Sequence, residues 1–74
     1  SGGRRLPIGR QLREAENEVV RLTRRRDGII ESLAAASAYE ELRRLGDALA
    51  VTQAELEKAE DAWLALAEEA ESPT

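Results

Sequence analysis

The chain has 74 residues, 35% of them charged, a net charge of −4, and no His, Cys or Met. Without His and Cys it lacks the commonest general base, the commonest thiol nucleophile and the soft metal ligands, and disulfides are excluded. No apolar run approaches the roughly 18 residues of a spanning helix, and no signal-peptide segment follows the basic opening. A core of this size supplies only about 3–5 kcal/mol. The composition points to a small non-catalytic unit, cytoplasmic, taken from a longer protein.

In chain order, residues 1–6 read as a flexible leader or tag remnant opening on Ser1-Gly2-Gly3. Pro7 fits the first turn of a helix, where its missing N–H costs nothing, so a first helix is expected over about 7–34. Along it Ile8, Leu12, Ala15, Val19, Leu22, Arg26, Ile29 and Leu33 recur at alternating spacings of four and three. A turn is expected at about 35–38, within Ala34 to Ala38, a stretch with no Gly or Pro. Ser37 followed by Glu40 forms a capping box there, and Glu40 and Glu41 put acids in the next helix's first turn. The second helix is expected over about 38–71, carrying the beat Ala38, Leu42, Leu45, Leu49, Thr52, Leu56, Ala59, Trp63, Leu66, Ala70. Ser72-Pro73 stops it, leaving 72–74 as a tail.

A mean spacing of 3.5 residues keeps one narrow stripe facing a partner helix. Two matched stripes predict an all-α fold, a two-helix antiparallel coiled-coil hairpin over 7–71. The seam candidates are Ile8, Leu12, Ala15, Val19, Leu22, Ile29, Leu33, Leu42, Leu45, Leu49, Leu56, Ala59, Trp63 and Leu66. A turn centred near Ala36 pairs Ile8 with Trp63, Ala15 with Leu56, Leu22 with Leu49 and Ile29 with Leu42. It also sets Val19 against Thr52 and Arg26 against Leu45, and Arg26 is expected to snorkel its charged head out of the seam. The bland Ala34–Ala38 stretch leaves one continuous helix as the competing arrangement. Gly28 and Gly46, each costing a helix interior about 1 kcal/mol, mark a close backbone approach, a bend, or simple tolerance. Val20, Ile30, Val51 and Leu64 lie off the seam, where they widen the stripe or dock another surface.

Neighbouring acids such as Glu68 and Glu69, Glu57 and Asp61, or Glu14 and Glu18 read as solvated helix faces, because nothing supplies the burial that shifts a carboxylate. No phosphate-cradling glycine loop is present. No catalytic, cofactor-binding or metal-binding residue is therefore assigned. The charge is uneven: residues 1–38 hold eight Arg against five acids, and residues 39–74 hold three basic residues against ten acids. Arg21, Arg24 and Arg25 gather with Arg43 and Arg44 in the half nearer the turn. Guanidinium groups bind phosphate oxygens in pairs and follow a backbone by shape, so these five are candidate nucleic-acid contacts. The competing reading is a solubilising face, with Arg43 and Arg44 satisfied by Glu40 and Asp47. No aromatic residues interleave the cluster, so base stacking is not expected.

The segment from Tyr39 to Glu69, through Tyr39, Glu40, Leu42, Leu45, Leu49, Leu56, Glu60, Trp63 and Leu66, resembles the second helix of the C-terminal coiled-coil domain of ABC-F ATPases, especially the Uup-like branch. The first helix is similar more loosely, through Leu12, Glu16, Val19 and Leu22; Leu6–Arg10 and Ala34–Ala38 depart from that family's pattern. The resemblance implies a parent protein with two ATP-binding cassettes, which would hold the ATP and Mg, and a C-terminal hairpin arm beside those cassettes that contacts rRNA or DNA. A structural homo-oligomerisation module with no nucleic-acid role is the alternative.

Overall fold

The computed structural model describes residues 6–72, which form two α-helices packed against each other: α1, Ile8–Ala35, and α2, Tyr39–Glu71. Among the described residues there is no strand. The expected leader, apart from Leu6, and the end of the expected tail lie outside the described residues. The molecule is a slab of 55 × 25 × 14 Å. Its thickness is that of a single helix, so among the described residues no third element covers either broad face.

The helix ends differ from expectation in detail. Pro7 sits just outside α1 as its N-cap, not inside the first turn, and its carbonyl accepts the N–H groups of Arg10 and Gln11, both at 3.0 Å. The Gln11 side chain reaches back to donate to the Leu6 carbonyl at 2.6 Å, fixing the entering chain. The expected capping box is absent. Ala38 occupies the N-cap of α2 and no side chain caps it, so Ser37 stands one residue too early for its hydroxyl to reach the free N–H groups. What favours this end is charge: Glu40 and Glu41 lie in the first turn, beside the positive end of the helix dipole.

The reversal needs no left-handed residue. Ala36 and Ala38 are extended (φ −79°, ψ 147° and φ −76°, ψ 135°), and no described residue other than Gly has positive φ. A turn over residues 36–38 centres the hairpin on Ser37, and this shifts the register. Counting from that centre moves the α2 neighbours of Leu22 from Leu49 toward Thr52 and Leu56, and those of Ile8 from Trp63 toward Leu66. Three observations support the shift. Leu22 and Thr52 are the two most buried side chains, each 1% exposed; Leu66 lines a recess with Leu6, Gln11 and Glu14; and Trp63 lies beside Glu16 and Val19 instead of capping Ile8. A Trp on α2 leans toward the N-terminus of its own helix, hence toward the turn, which carries it past its own level on α1.

The heptad beat does form the interface. Every α1 seam position from Ile8 to Leu33 is at least half-buried, and so are Leu45, Leu49, Thr52, Leu56, Ala59, Trp63 and Leu66 on α2. Only Leu22, Thr52 and Leu56 are fully buried, as a two-helix layer dictates. Leu42, expected in the seam, is 39% exposed, because it sits one turn from the reversal, at the end of the interface. A Cβ added at Gly28 or Gly46 would meet nothing within 4 Å, so neither glycine serves a close backbone approach.

Candidate nucleic-acid interface

Successive residues of an α-helix step by about 100°, so each helix divides into a seam, an outer edge and two flanks, one on each broad face of the slab. The recesses between the helices fix which flanks share a face. One recess is lined by Glu18, Leu22, Glu55, Lys58, Ala59 and Ala62, and another by Glu16, Val19, Val20, Glu60, Asp61, Trp63 and Leu64. The two sets lie on opposite sides of the seam.

Arg21, Arg25 and Arg44 fall on the first of these faces, in the half nearer the turn. Glu55, which lines that recess, lies across the groove from Arg21 and adds to the acidic surroundings that favour its charge. Arg24 points instead from the outer edge of α1, and Arg43, at the same heptad position as Leu64, falls on the opposite face. The fold thus brings three of the five sequence candidates together and leaves two apart.

Their ionic states differ as well. Arg21 is held by Glu18 one turn earlier, through Nε at 2.9 Å and Nη2 at 2.8 Å. These hydrogen bonds, helped by the Arg21 charge, hold the Glu18 carboxyl below its ordinary range against an opposing effect of desolvation, and raise the Arg21 guanidinium. Arg43 bridges Glu40 at 3.5 Å and Asp47 at 3.8 Å, the solubilising arrangement that its acidic neighbours allow. Arg24, Arg25 and Arg44 are exposed and make no ion pair among the described residues. Arg26 snorkels: its side chain is 34% exposed and its guanidinium reaches Asp27 at 3.0 and 3.1 Å. A seam position therefore holds a cation whose charge is answered outside the seam.

The fold also redistributes charge along the rod. The turn-proximal half, residues 20–54, holds six arginines against five carboxylates, whereas the open half, residues 6–19 and 55–72, holds two arginines and one lysine against ten carboxylates. Sequence order alone contrasts the two helices; the hairpin converts that contrast into two unlike ends.

The opposite face carries what the sequence reading left unassembled. Val20 and Leu64, both off-seam, stand with Val19 and Trp63 in a groove of about 450 Å³ edged by Glu16, Glu60 and Asp61. The signal for this site lay in the off-seam apolar residues, but only the register sets them side by side. Trp63 Nε1 is buried with no hydrogen-bond partner among the described residues. Among the described residues, no group of three or more Asp or Glu is placed to hold a metal ion, and no helix is long and apolar enough to cross a membrane. Comparison with known proteins gives no significant match: no family model, no curated protein and no solved structure.

Proposed function

We propose that this chain is a non-catalytic helical-hairpin arm whose arginine face contacts the sugar-phosphate backbone of a nucleic acid, rRNA or DNA. The observation that carries the reading is the ladder of Arg21, Arg25 and Arg44 on one broad face. It extends about 14 Å along the rod, and Arg25 and Arg44 have no carboxylate partner among the described residues. A ladder of this kind neutralises successive phosphates and reads no bases. Membership in an ABC-F ATPase, with cytoplasmic cassettes that supply ATP and Mg chemistry, is part of the proposal and rests on the Tyr39-to-Trp63 frame.

Fluorescence anisotropy with duplex RNA and duplex DNA tests it. Binding should weaken steeply between low salt and about 200 mM salt. The double variant Arg25→Glu, Arg44→Glu should lose at least tenfold in affinity and flatten the salt dependence by about two counterions. No binding at low salt, or an affinity unchanged by that double variant, would refute the reading.

A further inference from the structure

The face opposite the arginine ladder carries the groove floored by Val19 and Trp63 and walled by Val20 and Leu64. Val20 and Leu64 remain 45% and 50% exposed, so the groove is open along one side and cannot enclose a small molecule as buried ligand sites do. Its polar groups are of one kind. Glu16 from α1 and Glu60 and Asp61 from α2 edge it with carboxylate oxygens, which only accept hydrogen bonds. None of the three makes an ion pair among the described residues. The side-chain donor in the groove, Trp63 Nε1, is buried out of a ligand's reach. Of the arginines on this face, Arg43 is already paired with Glu40 and Asp47, and Arg13 stands about two turns from Val20 toward the open end.

We infer that this groove docks a basic amphipathic helix of a partner protein. A large apolar side chain of that helix seats on Trp63 between Val20 and Leu64, while Lys or Arg one turn away meets Glu16, Glu60 and Asp61. Complementarity of charge and of hydrogen bonding selects the occupant. A rim that only accepts calls for a partner that only donates, and Lys and Arg are the charged side chains with donors and no acceptor. Their long stems also lie along apolar surface with the charged head outside it, so they suit wall and rim together. An acidic or nucleic-acid partner would set like charge against like at the same rim. The open half, ten carboxylates against three cations, extends the attraction beyond the groove. Shape selects a helix. Two helices side by side leave a furrow along the rod into which a third interdigitates its i, i+4 side chains. At 14 Å thick, the hairpin lacks the second layer that would fill it. The arginine ladder lies on the other face and takes no part, so this inference does not rest on the nucleic-acid reading.

The probe is a Trp-free synthetic helix of Leu and Lys, with Leu on one face, titrated into the 74-residue chain. The emission of Trp63, the single Trp, should move to shorter wavelength and saturate at one peptide per chain. The affinity should fall as salt rises. The same peptide with Glu in place of Lys should not bind. Leu64→Gln, and separately Glu60→Gln with Asp61→Asn, should each weaken binding about tenfold. Both leave the helical circular dichroism unchanged, since all three side chains are exposed. Glu68→Gln with Glu69→Gln removes the same charge further along α2, outside the groove, and should weaken binding by less than about threefold. Dodecylammonium, cationic and apolar but no helix, should need a far higher concentration than the peptide to shift the emission. No shift up to about 1 mM peptide, equal binding of the Glu peptide, an equal loss from the Glu68 and Glu69 changes, or dodecylammonium saturating at the peptide's concentration overturns the inference.

Discussion

The guanidinium of Arg21 is clasped by the carboxylate of Glu18 through two hydrogen bonds, 2.9 and 2.8 Å, between side chains one turn apart on α1. The clasp is exposed, at 57% and 47%, so water screens it and its worth to the fold is small. Under the proposed nucleic-acid role it bears on binding, because it withholds one of the three arginines of the ladder.

Glu18→Gln should release Arg21 and tighten nucleic-acid binding severalfold in an anisotropy titration, with a slight fall in melting temperature at neutral pH. The pH dependence has a defined sign. The Glu18 carboxyl is lowered in the folded chain, so its contribution is present above its unfolded value and is lost as pH falls through the folded one. The melting difference between the variant and the parent should therefore vanish below the ordinary carboxylate range of about 4. A difference that persists in acid would show that the clasp acts otherwise.

Seam positions should differ sharply in cost. Leu22 is 1% exposed and Leu42 is 39% exposed, although both fall on the same heptad beat. Leu22→Ala should cost about 2–5 kcal/mol, enough to leave the monomeric hairpin largely unfolded, whereas Leu42→Ala should cost under about 1 kcal/mol. Urea titrations followed by circular dichroism decide between them.

Thr52 places a hydroxyl among the most buried side chains of the interface, 1% exposed like Leu22. Thr52→Val replaces that hydroxyl with a methyl of similar size and should stabilise the hairpin by about 1 kcal/mol. A destabilisation of that size in the same urea titration would mean that the hydroxyl holds the register.

Gly28 stands within α1 where an added Cβ meets open space. Gly28→Ala should raise stability by about 1 kcal/mol, since alanine has less chain entropy to lose and nothing to collide with. At the reversal, Ser37→Ala should be neutral, whereas Ala38→Asp should gain about 1 kcal/mol by supplying the missing cap. Thermal melts of the three variants check the order, and a loss at Ser37→Ala would restore the capping box.

How much was legible beforehand follows from what each residue depends on. The seam from Ile8 to Leu66 was readable because a 3.5-residue beat is local to each helix and independent of its partner. Leu42 escaped that rule because it lies at the hairpin end, where the interface runs out and the heptad beat alone does not bury a side chain. Ser37 read as a cap because its spacing to Glu40 is correct, but α2 begins after Ala38, so the spacing is met one position too early. The five candidate arginines were visible as a cluster in sequence. Two of them leave the ladder, Arg24 for the outer edge of α1 and Arg43 for the opposite face, since a helix turns 100° per residue and scatters neighbours around its axis.

By itself, then, the sequence determined two amphipathic helices, their apolar stripes and the contrast between a basic first half and an acidic second. Tertiary structure decided the rest through one quantity, the position of the reversal. Centring it on Ser37 set the register, brought Val20 beside Leu64 and Trp63, gathered Arg21, Arg25 and Arg44 on the other face, and turned a difference between helices into a difference between ends. Stripe and charge content are properties of residues on their own helix; which flanks share a face depends on how two helices meet, and three residues of turn control that.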